Sequence, residues 1–488
     1  MVNGPMAPVV NIPHQQLPGP VASYFVTDDI KLEIIRKQSI AMTPSNLELY
    51  PDLPDTIENY HDLIPLEEPA EVQSNTFGCL TSVYKGTSLK TGEVFCLRRV
   101  HNYQPNHANA KSLNMTIENW KKLQHANIIP LKHVFTTKAF GDISLVLVYD
   151  FFPGAQTLNS QYFANQLSQG IGVNGIQSAA RPYSQQQKQR KLLPEQLIWT
   201  YIIQLSSALR TIHASGLACR AFDPSKIILT SGFLPDPSNI TNTNLQQQQL
   251  QQPRLRLSGC AVFDIVSHEA FLKDMQHCGA KVLIGHFQQE DLAAFGKVCL
   301  ALACNSLTVV KRENWPQSLE SVGRNYSNDL RSLIYYLLSG KGGSSTKTIN
   351  DIMPMIGARF YAQLDLTLQR YDLQETELVK EVDNSRLFRM LAKLGSINER
   401  HEYRMDPQWS ETGDRYLLKL FRDYLFHQVS DDGRPWLDVG HIITTLNKLD
   451  VASHEKVCLV SRDEQNVLIV SYAELKKCFD AAFNELLL

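Results

Sequence analysis

The chain has 488 residues, 43% of them hydrophobic, enough for roughly two to four domains with their own cores. A formal net charge of −2 and a pI of about 6.7 exclude a global basic field for nucleic acid, though not a local basic patch. No run approaches the roughly 18 apolar residues of a membrane span, and the nine cysteines are scattered without a CxxC pair, as thiols of a reducing compartment are. Met1 to Pro20 is rich in Pro, Gln and Gly and lacks a basic-then-apolar leader. The expectation is an intracellular, soluble chain whose abrupt start is that of a fragment or isoform.

In chain order, residues 1–62 read as an N-terminal extension. It holds one predicted helix over Asp29–Gln38 and turns set by Pro44, Pro51, Pro54 and Pro65. Gln73 to Val100 reads as three strands. Its segment SNTFGCLTSVYKG resembles the glycine-rich loop of protein kinases, with Val83 as the closing valine. Only Gly78 remains of the three loop glycines; Thr76 and Thr81 take the other places, and bulkier threonines keep the backbone off a phosphate. GEVFCLRRV resembles the strand that ends in the kinase lysine, with Arg98 at the lysine place. A guanidinium still pairs with phosphate, as a fork rather than a point charge.

Thr116 to Gln124 is amphipathic, with Ile117, Trp120 and Leu123 on one face at helical spacing. Counting back from His125 puts Thr116 at the ion-pair glutamate of the kinase C-helix. Glu118 lies two residues away on another face, so the lysine–glutamate pair is doubly lost. Ile143 to Tyr149 reads as a buried strand. After it, Asp150, Phe151, Phe152, Pro153, Gly154, Ala155, Gln156 and Thr157 fall where a kinase hinge joins two lobes and holds adenine. Gln161–Arg190 and Asp236–Pro253 are polar, low-complexity insertions that cannot fill a core.

A predicted helix over Glu195–Ser215 leads into GLACRAFDPSKIIL, Gly216 to Leu229. This has the layout of the kinase catalytic loop, H-R-D-x-x-x-x-N before a short strand. Cys219-Arg220-Ala221 takes the H-R-D place and Lys226 the asparagine place. Ala221 has no carboxylate to take a hydroxyl proton, and Lys226 is a cation where a magnesium ligand belongs. In LRLSGCA, Gly259, Cys260 and Ala261 replace D-F-G, so the second metal ligand is missing too. Asp223 and Asp264 are the carboxylates left for an unusual active kinase. DLAAFG resembles the start of the kinase F-helix, where Asp291 would brace the catalytic loop, and Asp329–Leu338 resembles a later helix of the second lobe.

From Met353 the texture changes. Phe360, Leu364, Tyr371 and Leu378, then Leu387, Met390, Leu391 and Leu394, form a heptad-like seam of about five repeats with charges between, as in a coiled coil. The register shifts between Leu378 and Leu387, where a bend is expected. His401–Leu488 reads as a compact third part: helices over Gly413–His427, Asp438–Asp450 and Tyr472–Leu487, and a hairpin of Val457–Val460 with Val467–Val470.

Substituted C-R-A and G-C-A motifs, a short coiled coil, and a last part carrying WSETGDRYLLKLFRDYLFHQV together resemble one family. LAKLGSINER at Leu391–Arg400 and FTTKAF at Phe135–Phe140 strengthen the likeness. It is the regulatory, pseudokinase subunit of the cytoplasmic poly(A) nuclease deadenylase. The resemblance implies an α+β, two-lobed protein-kinase-like fold over 63–356, a coiled coil over 357–401 and a small, mostly helical knob over 402–488. It also implies a non-catalytic subunit that binds ATP without phosphotransfer. The implied nucleotide contacts are Arg98, Asp150 to Thr157, Ser225 and Lys226, with Gly78 secondary; no metal is required, because the charge of Lys226 can replace the metal's. The implied dimer forms through Phe360, Leu364, Tyr371, Leu378, Leu387, Leu391 and Leu394. Implied partners are the catalytic exonuclease subunit, tryptophans of glycine-tryptophan silencing proteins and poly(A) RNA, in the cytoplasm and P-bodies, serving mRNA decay. Contact with poly(A)-binding protein belongs to an N-terminal region outside this chain. An unusual active kinase, or a coiled-coil scaffold without nucleotide, are the alternatives.

Overall fold

The computed structural model describes residues 24–44, 50–67, 74, 76–105, 109–163, 192–231, 253–339, 346–430 and 432–487. Most of both low-complexity insertions, and Met1 to Pro20, lie outside these. The chain divides into two compact units: Arg36–Gln369, and Met1–Ile35 together with Arg370–Leu488.

In the first unit, β1 (Thr56–Ile57), β2 (Tyr60–Pro65), β3 (Thr81–Ser88), β4 (Val94–Val100), β5 (Leu131–Thr137) and β6 (Ser144–Asp150) form one antiparallel sheet, ordered β1-β2-β3-β4-β6-β5. The run SLVLVY of β6 is buried along its whole length, so it reads as continuous apolar sequence rather than alternation. Two expectations change here. The stretch from Gln73 to Val100 holds two described strands, and residues expected as extension supply β1 and the start of β2. The aromatic ring of Tyr60 explains the addition: it stacks on Phe135 and meets the edge of Phe95, so burying it requires pairing with the sheet.

The helix Ala110–Lys121 presents Trp120 to the core. Beyond the hinge stretch, β7 (Gln156–Thr157), β8 (Ile227–Ser231) and β9 (Arg254–Leu257) form a small antiparallel sheet. The first insertion was expected to begin at Gln161, yet Asn159–Phe163 is a helical turn and Phe163 is fully buried. The helices Glu195–Ala214, Ala280–Cys304 and Asn328–Leu338 enclose the main core, with Leu205, Ile212, Phe295 and Leu333 inside. At Gly296 a Cβ would stand 2.8 Å from the Leu337 Cβ, so the glycine lets two of these helices approach closely. Asp291 lies midway along the helix Ala280–Cys304, not at its start.

The helix Ala358–Asn398 runs for 41 residues without interruption, through the place where the register shifts. Its residues up to Gln369 belong to the first unit and the rest to the second. In the second unit Leu387, Met390, Leu394 and Ile397 are buried among Trp409, Phe421, Leu446 and Phe479, and Leu391 packs against the same cluster. Leu387, Leu391 and Leu394 are therefore core residues of this unit and not free for a seam. Phe360, Leu364, Tyr371 and Leu378 are 44–62% exposed. The apolar row thus divides into an exposed part and a part buried in the second unit's core, and the register shift lies between them. Tyr24 and Phe25 pack on this core, Thr27 N–H donates to Glu377 (3.0 Å), and Asn384 donates to the Tyr24 carbonyl (3.1 Å). Gly413–Phe426, Val439–Asp450, the hairpin β10 (Lys456–Val460) with β11 (Val467–Ser471), and Tyr472–Glu485 complete it. The last helix starts in a capping box: Ser471 accepts from the Glu474 N–H while Glu474 accepts from the Ser471 N–H.

Candidate nucleotide cleft

The catalytic-loop segment is held from behind by one buried carboxylate. Asp291, 1% exposed, accepts the backbone N–H groups of Cys219 and Arg220, both at 2.7 Å, and lies 2.9 Å from His213 Nε2. The brace expected of Asp291 is thus present. It holds Arg220 at φ +56, an uncommon conformation for a residue with a Cβ. The Arg220 guanidinium reaches Asp264 at 3.3 Å and lies over the rings of Phe263 and Phe287. Asp264 also accepts from the Trp120 indole at 2.8 Å. Burial pushes the Asp264 carboxyl up, and the Trp120 and Arg220 donors pull it back. This Trp120–Asp264–Arg220 chain links the helix Ala110–Lys121 to the catalytic loop. Thr116, at the glutamate place, donates to the Ser112 carbonyl of its own helix, and Glu118 pairs with Lys121.

Ala221 is a buried methyl where the base would be. Asp223 Oδ1 accepts both the Ser225 N–H (2.8 Å) and the Ser225 hydroxyl (2.6 Å), so it braces a turn. Both carboxylates available to an unusual kinase are occupied by local partners, and Ser225 spends its hydroxyl on Asp223.

Arg98 and Lys226 come together, as expected. Arg98 sits on β4, opposite Val83 of β3 and Leu147 of β6. It is 5% exposed, and its Nη1 has no hydrogen-bond partner among the described residues. Lys226 is 7% exposed. Its ammonium is pushed below the usual lysine range first by burial and then by the Arg98 charge, with Glu67 and Asp223 opposing. Both stand near the ring of Phe77: the Arg98 Cζ is 5.5 Å from the ring centre and the Lys226 Nζ 5.2 Å.

Phe77 was not anticipated. The loop that carries it is closed by Gly78 N–H to the Ser74 carbonyl (2.8 Å) and Ser74 N–H to the Cys79 carbonyl (3.0 Å). Gly78 has φ +66 with nothing around it, so the turn itself, not crowding, requires glycine there. The ring of Phe77 is buried, and a Cβ at Gly259 would meet its Cζ at 2.8 Å. The glycine at the metal-ligand place therefore makes the seat for this ring. Next to it, Cys260 accepts from the Tyr149 hydroxyl (2.7 Å).

The hinge stretch Asp150–Thr157 splits. Asp150 ends β6 and pairs with Lys132 at 3.2 Å. Phe151 and Pro153 are partly exposed, and Phe152 lies under the Arg256 guanidinium at 4.3 Å. Gly154 turns the chain at φ +71, and the Ala155 N–H returns to the Phe152 carbonyl. Gln156 and Thr157 pair with Leu229 and Ile228 of β8 and so belong to the second lobe. Beside the cleft a cavity of about 770 Å³ is lined by Thr76, Arg220, Asp223, Ser225, Phe263 and Lys297 among others. No group of three or more His, Cys, Asp or Glu among the described residues is placed to hold a metal.

Solved structures share this architecture. The "Drosophila Melanogaster PAN3 pseudokinase" is 46% identical with a TM-score of 0.68, covering 89% of this chain and 100% of that one. A chain of the "Complex of Neurospora crassa PAN2 (WD40-CS1) with PAN3 (pseudokinase and C-term)" is 32% identical with a TM-score of 0.71, covering 94% of this chain and 100% of that one. The PAN2-PAN3 deadenylation complex subunit pan3 of Xenopus tropicalis is 44% identical over 99% of this chain and 57% of its own length. Residues 349–486 match the Pan3 C-terminal knob domain. The fold is that of a pseudokinase, a kinase-like chain, as in these neighbours. The chain belongs to the PAN3 family of deadenylation-complex subunits. It spans about half the length of the curated relatives it matches.

Proposed function

We propose that this chain is the nucleotide-binding, non-catalytic part of a regulatory deadenylase subunit. ATP is held between the lobes without phosphotransfer, through Arg98, Lys226 and the hinge backbone. The observation that carries this is the pair of buried cations, one with an orphaned nitrogen, in a cleft without base or metal ligands. Two desolvated cations without a salt-bridged anion are costly, and a polyphosphate supplies charge to them with charge-assisted hydrogen bonds. A cationic Lys226 takes the place of the magnesium ion, so ATP binds with or without it.

Two copies associate through the exposed row Phe360, Leu364, Tyr371 and Leu378, and the dimer holds one catalytic exonuclease subunit for poly(A)-tail shortening in the cytoplasm and P-bodies. Relatives carry the name of a PAN2–PAN3 deadenylation complex, which supports that partner. The same dimer takes tryptophans of glycine-tryptophan silencing proteins.

Thermal unfolding of the purified chain tests the central claim. ATP is expected to raise the midpoint equally with magnesium and with EDTA, and Arg98→Ala to abolish the rise. Label transferred from radioactive ATP above a Lys226→Ala control would overturn it. Light scattering with the nuclease subunit tests assembly; a monomer that forms no complex would sink that part.

A further inference from the structure

Phe77 occupies the cleft at the position the two cations define. It is 7% exposed, contacts Phe263 at 5.5 Å between ring centres, and presents its ring to Arg98 and Lys226. The electron-rich face of a ring partly compensates a buried cation. Here one ring serves two cations that repel each other and form no salt bridge among the described residues, Glu67 and Asp223 acting on Lys226 only at longer range. Its seat exists because residue 259 has no side chain.

The geometry points to Phe77 as a plug that sets the affinity of the cation pair, displaced by the phosphates of a nucleotide and left in place by a nucleoside. The inference rests on the nucleotide reading of the cleft given above. A polyphosphate offers several anionic oxygens, whose charge-assisted bonds to Arg98 and Lys226 outweigh two ring contacts. Adenosine offers none. It can meet the hinge only, and withdrawing the ring would cost it two cation–π contacts with no return. The cation pair discriminates by phosphate, and Phe77 narrows that discrimination, because it lowers the apparent affinity of every phosphate-bearing ligand by the fraction of time it occupies the site.

Calorimetric titration of ATP and of adenosine into wild type, Phe77→Ala and Phe77→Leu tests this on the full chain. Phe77→Ala should bind ATP about tenfold tighter, the equivalent of two modest cation–π contacts. Phe77→Leu keeps apolar bulk without a ring face and should gain about threefold. Adenosine affinity should stay within twofold in both. If Phe77→Ala fails to fold by circular dichroism, Phe77→Leu alone decides. Wild type binding ATP with no gain in the folded variants would overturn the plug and leave the nucleotide reading standing. An equal gain for adenosine would also overturn it, because the ring would then be a general obstruction. No binding of either ligand to any of the three proteins would remove both proposals together.

Discussion

Asp291 serves the fold by satisfying the backbone of the loop in front of it. In this chain its two oxygens hold two backbone N–H groups and a histidine nitrogen at 2.7–2.9 Å, inside the second lobe. Alanine there would strand those donors in a place water does not reach, at about 1–3 kcal/mol each before relaxation. Asp291→Ala is expected to lower stability by about 3 kcal/mol in urea titration, and Asp291→Asn, which keeps an acceptor oxygen, by less. An unchanged midpoint would mean the loop is held by its own turn, Asp223 with Ser225, and not from behind. Arg98 and Lys226 were legible in the sequence because they stand at motif positions. Phe77 and Trp120 were not. The role of Phe77 depends on the missing side chain of Gly259, and that of Trp120 on Asp264, partners that only the folded chain brings near.

Among the elements, the helix Ala358–Asn398 carries one apolar pattern with two destinations. Leu394 is 2% exposed in the second unit's core, whereas Leu378 is 62% exposed. Leu394→Ala should cost about 3 kcal/mol, the ordinary cost of a core leucine, and Leu378→Ala should stay within about 0.5 kcal/mol. Circular dichroism during urea unfolding reads both. Equal losses would mean that the outer row is also buried, by a second copy at the concentration used, and dilution would then separate the two. Spacing alone could not divide the row, because heptad periodicity reports a buried stripe and not what buries it. The strands β1 and β2 were hidden for a similar reason. Their short runs sit among prolines, which read as turns, and only pairing with β3 reveals them.

At the scale of the whole molecule, the described residues hold separate hydrophobic clusters. The main one fills the kinase-like unit, with a smaller one on its sheet, and another fills the second unit; none shares a buried member. Cooperative unfolding follows from shared burial, so separate cores predict separable transitions. A ligand that binds one folded unit stabilises that unit by mass action. Differential scanning calorimetry should therefore resolve two transitions. Saturating ATP should raise only the one that Asp291→Ala lowers, because the cleft and Asp291 lie in Arg36–Gln369. Leu394→Ala should lower only the other, by roughly 6–12 °C for a 3 kcal/mol loss in a unit of this size. A single transition that ATP and both substitutions move together would show that the continuous helix Ala358–Asn398 couples the two cores into one cooperative whole. Nucleotide in the cleft would then stabilise the second unit as well, and not the cleft alone.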